Sequence, residues 1–277
     1  MDNIKLQRLR CCAAFLACCL ISFPVISAEL ILSAPPRENA QKGKEMYEPL
    51  AKKLSELVGQ KVVYKQPKTW AEYANNMRNG QYDIVFDGPH FVAWRQKNLK
   101  HEPIASLPGS LQFFVVAKKE NSLINNKRDL IGKKICGMPS PHLATDMVFD
   151  LFKNPVLQPI IFEVHGGQRV AMQAFKEGKC DATILRTTLY KKLPKTEKDQ
   201  IKIIATTREL PNQTISVSQR LHKNAHRIAN FLVSKEGAIT TDGILSRYSK
   251  NKKIFIKASP QKFVDAADIL EGVVWGW

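Results

Sequence analysis

The chain has 277 residues and a formal net charge of +17 at pH 7, from 42 basic and 25 acidic side chains. Its hydrophobic fraction of 44% is sufficient for a packed core. The basic excess favours an anionic ligand, an acidic partner or a membrane surface. Nucleic acid is not expected as a partner, because the basic residues are spread over turns and polar helix faces without a zinc-finger or RNA-binding motif.

The N-terminus has the pattern of an export signal. Basic residues at positions 5, 8 and 10 precede an apolar run over 11–26, and Ala28 provides a small residue at a plausible cleavage point. We therefore expect residues 1–28 to be removed as a signal peptide and the mature chain to be periplasmic. Pro24 lies inside the run and disfavours a retained membrane span. A lipoprotein anchor at Cys18 is disfavoured because Phe15 is a poor residue three positions before it.

Four of the six cysteines lie in this predicted signal peptide, which leaves Cys136 and Cys180 in the mature chain. Two cysteines in a chain of this length do not form a disulfide scaffold, so the hydrophobic core must stabilise the fold. Both residues lie in apolar strand patterns. One disulfide between them is geometrically conceivable, but two buried thiols are the expected state.

The mature chain alternates between short extended segments and amphipathic helices, which predicts mostly parallel sheets flanked by helices. In the first half, strands are expected at 30–33, 62–64 and 82–86, with helices at 44–58, 70–78 and 89–97. After an extended segment at 111–117, strands are expected at 134–137, 160–164, 180–185 and 201–205, with helices at 143–152 and 170–176. After a returning segment at 214–218, helices are expected at 224–234, 237–246 and 261–270.

One local pattern occurs twice in the chain. At Gly80 and again at Gly178, a helical run ends at a glycine, two residues pass, and Asp83 or Asp181 opens a short apolar strand. Glycine suits the left-handed conformation that commonly follows the last turn of a helix. Two copies of one unit predict two α/β lobes of the same design with a cleft between them.

The order of the predicted elements assigns the chain to two lobes. Residues 29–112 and 214–277 form lobe 1, and residues 113–213 form lobe 2. Neither lobe is continuous, because the chain crosses over once and then returns. The two crossing segments are expected to form a two-stranded hinge.

Four turns that follow predicted strands are expected to face the cleft, at residues 88–90, 140–142, 166–168 and 186–188. In an open α/β sheet, the ligand crevice lies outside the carboxyl ends of the strands. Each helix N-terminus at that edge offers free N–H groups and about half a positive charge. Ser140 and Thr145 would add hydroxyl donors, and Arg186 a charged donor suited to an oxyanion.

Five segments occur in the same order as in a known family. They are Tyr47-Glu48-Pro49-Leu50, Asp83-Ile84-Val85-Phe86-Asp87-Gly88-Pro89, and the segments at 127–135, 137–140 and 171–181. On these segments the chain resembles the periplasmic phosphate-, phosphite- and phosphonate-binding proteins of ABC importers, which are type II solute-binding proteins. The resemblance covers nearly all of the mature chain. It implies that a small anion binds between the lobes and is delivered to an ABC permease in the inner membrane.

The resemblance also implies site residues, with some departures. Trp70 lies where the family often has an aromatic wall. A hydroxyl-rich Ser-Thr-Ser-Gly run of the family is replaced here at 141–144, and His165 precedes Gly167 instead of following a glycine. Asp87 would repel an anion unless it were protonated or paired. The candidate ligand-binding residues are Trp70, Asp87, Gly88, His90, Ser140, His142, Thr145, His165, Gly167, Arg186 and Thr187.

Two alternatives use the same scaffold. One is an exported sensing module that presents the bound ligand to a receptor kinase. The other is a site for zinc, copper or iron built from Asp87, His90, His142 and His165, although no short metal-binding spacing supports it. An enzyme is not expected, because the chain has no Gly-x-Ser-x-Gly elbow, P-loop or Glu-rich metal centre. We expect no cofactor and a monomeric protein.

Overall fold

The computed structural model describes residues 28–152 and 154–271, so most of the predicted signal peptide lies outside the described part. The strands are β1 (Leu30–Ser33), β2 (Val62–Tyr64), β3 (Ile84–Asp87), β4 (Glu102–Ser106), β5 (Ser110–Leu111), β6 (Phe113–Lys118), β7 (Lys134–Gly137), β8 (Ile160–Glu163), β9 (Ala182–Arg186), β10 (Ile201–Thr206), β11 (Leu210–Pro211), β12 (Thr214–Val217) and β13 (Ile256–Lys257). The α-helices are α1 (Ala40–Val58), α2 (Trp70–Arg78), α3 (Pro89–Leu99), α4 (Leu143–Asp150), α5 (Gln168–Lys176), α6 (Thr187–Lys191), α7 (Lys195–Lys198), α8 (His222–Leu232), α9 (Lys235–Thr240), α10 (Asp242–Tyr248) and α11 (Asp268–Glu271). Short 3-10 helices include Lys127–Leu130, Gln219–Leu221 and Pro260–Ala266.

The strands form two main sheets, which confirms the predicted two-lobed α/β class. The first sheet has the order β13-β4-β12-β3-β1-β2, and the second has the order β10-β6-β9-β7-β8. Both sheets are mixed. β1 is parallel to β2 and β3, and β7 is parallel to β8 and β9. The returning strand β12 and the crossing strand β6 are antiparallel to their neighbours, because a chain that crosses between sheets enters the next one in the reverse direction.

The two segments that cross between the sheets pair with each other. β5 and β11 form a two-stranded antiparallel ribbon, with Leu210 opposite Leu111 and Pro211 opposite Ser110. The chain passes through β5 on its way to the second sheet and through β11 on its way back. This is the position in which a two-stranded hinge is predicted. We retain 29–112 with 214–277, and 113–213, as the proposed lobe limits.

Hydrophobic side chains pack on the faces of both sheets. Along α1, Met46, Leu50 and Leu54 lie on one stripe and are buried against the first sheet. The larger cluster covers the second sheet and α4 and α5. Phe263 and Ile269, near the end of the described chain, also belong to this larger cluster. The C-terminal segment therefore packs against the second core after the chain has returned to the first sheet.

Several helix ends differ from the sequence expectations for local reasons. α1 begins four residues earlier than predicted, because the Asn39 side chain accepts a hydrogen bond from the Lys42 amide and caps the helix. The helix predicted at 237–246 is two helices, α9 and α10, separated at Thr241. The buried Thr241 hydroxyl donates to the Gly237 carbonyl, and the Thr241 backbone leaves the helical conformation.

The expectation of two free thiols is wrong, because Cys136 and Cys180 form a disulfide. Their Cα atoms are 5.6 Å apart. Cys136 lies on β7, where it is opposite Thr183 of the neighbouring strand β9. The turn at Gly178 brings Cys180 to the start of β9, next to β7. The apolar pattern predicted that both cysteines are buried. It does not show that β7 and β9 are neighbours in the sheet, which brings the two cysteines together.

We expect the Cys136→Ala, Cys180→Ala double variant to lose about 4 kcal/mol of unfolding free energy, because the disulfide closes a loop of 44 residues in the unfolded chain. Urea unfolding of the oxidised wild type and the double variant measures this difference. Reductant should lower the stability of the wild type and leave the variant unchanged. Equal midpoints in all four samples would contradict the prediction.

Candidate ligand-binding site

A cavity of about 330 Å³ lies between the two sheets. Five of the predicted site residues line it: Trp70, Gly88, His90, His142 and Arg186. The remaining lining residues are Arg37, Leu111, Phe113, Pro141, Leu143, Gln168, Gln213, Arg247 and Tyr248. The site thus combines three arginines with aromatic and apolar walls.

Each of the four predicted turns contributes to this cavity. Gly88 follows β3 and caps α3, Pro141 follows β7, and Gln168 opens α5 after β8. Arg186 ends β9. Gly167 has a φ of 97°, which favours glycine and places Gln168 at the helix start. The Gln168 side-chain oxygen accepts a hydrogen bond of 2.9 Å from the Arg186 amide and so links two of the turns.

The three arginines of the cavity have different surroundings. Arg247 donates to Glu38 at 2.6 Å, and Arg37 is 3.9 Å from Asp87 Oδ1 and 6.0 Å from the centre of the Trp70 ring. Arg186 has no ion-pair partner among the described residues, and its buried Nε has no hydrogen-bond partner. Burial lowers the pKa of the Arg186 guanidinium. Arg186 therefore carries the positive charge of the cavity that lacks a protein counter-ion.

Asp87 does not lie at the mouth of the cleft as expected. It is fully buried at the end of β3, where its carboxylate accepts hydrogen bonds from Arg95 and from the Tyr73 hydroxyl. The Gly88 amide donates to its second oxygen at 2.8 Å. Burial raises the pKa of Tyr73 well above its usual range, so Tyr73 acts as a neutral donor. Arg95 offsets the charge that would otherwise repel an anion.

His90 is buried at the boundary between elements of the two sheets. Its Nε2 is 3.2 Å from the Pro141 carbonyl and 3.9 Å from Asp146 Oδ2. Burial lowers the pKa of His90 to about 3, so its ring is neutral at neutral pH. His90 lies on α3, and its two partners lie at or near the start of α4. The imidazole therefore bridges the two sides of the cavity.

Asp146 is a buried residue of this region that the sequence reasoning missed. The Ser140 hydroxyl donates to its Oδ1 at 2.8 Å, while its Oδ2 has no hydrogen-bond partner among the described residues. Burial raises the pKa of Asp146 to about 7, against the opposing effect of the Ser140 hydrogen bond. Ser140 thus contacts Asp146 and does not line the cavity.

Of the other predicted residues, Thr145, His165 and Thr187 lie outside the cavity lining, and His142 also has a structural role. Thr145 is buried and its hydroxyl donates to the Met138 carbonyl. His142 does line the cavity, and its Nδ1 also accepts from the Ala144 amide at 3.2 Å, so it caps α4. His165 is exposed, and the Thr187 amide donates to the Gln112 carbonyl at 2.9 Å. A position in or near a turn after a strand therefore did not by itself place Thr145, His165 and Thr187 in the cavity lining.

The alternative metal site is not formed. Among the described residues, no group of three or more His, Cys, Asp or Glu side chains is arranged to hold a metal ion. Asp87 is already bound by Arg95 and Tyr73, and His165 lies outside the cavity lining. Of the four residues, His90 and His142 line the cavity, while Asp87 and His165 do not.

Arg37, Arg247 and Tyr248 were also missed by the sequence reasoning. Arg37 follows β1, so the rule that selected the other turns after strands would have selected it too. Arg247 and Tyr248 end α10, far along the chain in the returning segment. No local pattern distinguishes them from a solvent-exposed helix end. Their position depends on α10 packing beside α1.

The family profile described as "ABC transporter, phosphonate, periplasmic substrate-binding protein" matches residues 32–268. The chain belongs to this family. A phosphate-import protein, PhnD, from Mycolicibacterium smegmatis is 31% identical over 115 residues, which are 39% of this chain and 36% of the relative. The match thus spans about a third of that relative's length. Within residues 28–152 and 154–271, no helix is long and apolar enough to span a membrane.

Solved structures agree with this fold. PhnD1 from Prochlorococcus marinus in complex with methylphosphonate gives a TM-score of 0.59 at 15% identity, over 88% of this chain and 99% of that one. XAC2383 from Xanthomonas citri bound to ATP gives a TM-score of 0.68 at 10% identity, over 88% of this chain and 98% of that one. At such low identities, the likeness shows a shared fold.

Removal of the counter-ion of Asp87 should destabilise this member of the phosphonate-binding family. Arg95→Met would remove the buried counter-ion of Asp87 and leave only Arg37, at 3.9 Å, and we expect a loss of about 3–5 kcal/mol of unfolding free energy. The Asp87→Asn, Arg95→Met double variant should recover part of this loss, because no buried charge remains. Urea unfolding measures both. A loss below about 1 kcal/mol in the single variant would contradict the prediction.

Asp146 should make stability depend on pH. Its pKa is raised from 3.8 to about 7, so the folded state keeps a proton that the unfolded chain releases. The contribution of Asp146 to stability therefore falls as the pH rises from about 4 to about 7, by up to about 1.4 kcal/mol per unit. His90, whose pKa is lowered to about 3, has the opposite slope between about pH 3 and its unfolded pKa of 6.5.

The Asp146→Asn variant isolates this effect, because the contribution of His90 is common to both proteins. The unfolding free energy of the variant minus that of the wild type should rise between about pH 4 and 7 and be constant above it. Urea unfolding at a series of pH values measures the difference. A difference that is independent of pH would show that Asp146 is ionised in the folded protein throughout this range.

Proposed function

We propose that this chain is the periplasmic binding component of an ABC importer, and that it captures a small phosphorus oxyanion in the cavity between its two sheets. The proposal rests on the surroundings of Arg186. Arg186 is a partly buried cation whose Nε has no hydrogen-bond partner and which lacks an ion-pair partner among the described residues. A buried charge of this kind is costly unless a ligand compensates it.

The rest of the cavity supports a tetrahedral oxyanion with a small substituent. Arg37 lies in the same cavity as Arg186, so two guanidinium groups are available to one anion. The buried pairing of Asp87 with Arg95 removes the repulsion expected from that carboxylate. The volume of about 330 Å³ exceeds that of an inorganic oxyanion and leaves room for a short organic group against Trp70.

We infer the remaining parts of the function from family membership. The chain would be exported through cleavage of residues 1–28, act as a monomer and deliver its ligand to an inner-membrane permease. Binding between two lobes joined by the β5–β11 ribbon would favour a closed form that the permease recognises. The role is binding and transport, with no chemical conversion of the ligand.

The proposal is tested by thermal unfolding of the exported protein, first unfolded and refolded to remove bound ligand. Methylphosphonate, phosphite, phosphate and sulfate would each be added in excess. A ligand at about one hundred times its dissociation constant stabilises the folded state by about 2.7 kcal/mol. We expect at least one phosphorus oxyanion to raise the melting temperature, because it offsets the charge of Arg186.

Two variants provide the comparison. Arg186→Met should abolish the ligand-induced shift while the ligand-free protein keeps or gains stability, since a desolvated charge is removed. Arg227→Met is the matched control, because Arg227 is an exposed residue of α8. It should leave the shift unchanged. A shift that persists in Arg186→Met would place the anion elsewhere, and no shift with any phosphorus oxyanion would contradict the proposed ligand class.

A further inference from the structure

His90, which lines the cavity, carries a ring nitrogen without a partner. It is 1% exposed, and its Nδ1 has no hydrogen-bond partner in the described part of the chain. Buried polar atoms are nearly always paired, so this nitrogen requires a partner that the described chain does not supply. The question is whether this nitrogen requires a donor or an acceptor from the ligand.

The contacts of the other ring nitrogen answer this question. His90 Nε2 is 3.2 Å from the Pro141 carbonyl oxygen, and a carbonyl oxygen only accepts hydrogen bonds. Nε2 must therefore carry the ring proton. The neutral imidazole then has an unprotonated Nδ1, which is an acceptor. A ligand atom that faces Nδ1 must bring its own proton.

Gly88 lets His90 and Arg37 lie against the same turn. A Cβ placed on Gly88 would lie 2.7 Å from His90 Cε1, 3.0 Å from His90 Nδ1 and 3.6 Å from Arg37 Nη2, so a side chain at this position would displace the imidazole. The acceptor of His90 and the donor of Arg37 thus lie beside one glycine, and all three residues line the cavity. A protonated oxygen can satisfy both, because it accepts from the guanidinium and donates to the imidazole. An oxygen without a proton can satisfy only Arg37.

We propose that His90 makes the site selective for oxyanions that carry a protonated oxygen, by accepting a hydrogen bond from the P–OH group of a phosphonate or phosphate. This inference rests on the proposed function. The last proton of a phosphate ester has a pKa of about 6, so such an anion carries a P–OH group below about pH 6. Sulfates and sulfonates have the same tetrahedral shape and no such proton. They leave Nδ1 unpaired and place an oxygen lone pair against it.

Methylphosphonate and methanesulfonate are the matched probes. At about pH 5 each is mainly a monoanion with one methyl group and three oxygens, and they differ by the P–OH proton. Isothermal titration calorimetry on the exported protein should show methylphosphonate binding about 10- to 100-fold more tightly, the range for an unsatisfied buried acceptor. His90→Phe should reduce this ratio to within about threefold. His226→Phe changes an exposed histidine on α8 and should leave it unchanged.

A spectroscopic measurement on the wild type covers the case in which His90→Phe does not fold. In ¹⁵N spectra of the methylphosphonate complex, His90 should remain the neutral Nε2–H tautomer, with its unprotonated Nδ1 signal shifted by the new hydrogen bond. Methanesulfonate should not cause this shift. An imidazolium ring in the complex would overturn the inference, because a protonated Nδ1 would be a donor.

The outcomes separate this inference from the proposed function. If both probes bind equally well and both depend on Arg186, the anion site stands and the role of His90 is wrong. If neither probe binds at millimolar concentration, the proposed function and the inference fail together. Selective binding of methylphosphonate that survives His90→Phe would assign the selectivity to another residue.

Discussion

The buried contact of Asp87 with Arg95 and Tyr73 is the constraint on which the rest of this site depends. Asp87 ends β3 directly before the turn that opens α3, so its charge lies next to a cavity lined by arginines. Without Arg95 it would repel an anionic ligand and would be costly to bury. Because Arg95 lies on α3 and Tyr73 on α2, the same contact also fixes both helices to the end of the strand. One interaction thus provides local packing and a cavity that remains positive.

The topology then brings distant residues together. Turns after β3, β7, β8 and β9 open onto one space, because each sheet presents the carboxyl ends of its parallel strands to the other. The disulfide between Cys136 and Cys180 links β7 to the start of β9, which are two of the strands that carry these turns. Arg186, at the end of β9, is placed by this scaffold and has no ion-pair partner in the described part of the chain. The unmatched positive charge is therefore a consequence of the fold.

The sequence was informative about the elements and less informative about side-chain partners. The periodicity of apolar residues and the glycines and prolines at segment ends predicted most of the strands and helices but missed β4, β13, α6 and α7. The turns expected after strands contain Gly88, His90 and Arg186, which line the cavity. The same rule also selected Ser140 and Thr187, whose contacts lie elsewhere, because it describes the backbone and not the direction of a side chain. The partners of Asp87 and Cys136 depend on packing between elements. So do the buried position of Asp146 and the contribution of Arg247, which comes from the returning segment.

A crystal structure of the protein with methylphosphonate would show directly whether Arg186 binds the anion. We expect a phosphorus atom in the cavity, with ligand oxygens within hydrogen-bond distance of Arg186 and Arg37 and the methyl group toward Trp70. Arg95 should remain on Asp87 and not turn to the ligand. Density for the ligand outside this cavity, or a complex in which Arg186 makes no contact with it, would contradict the proposed anion site.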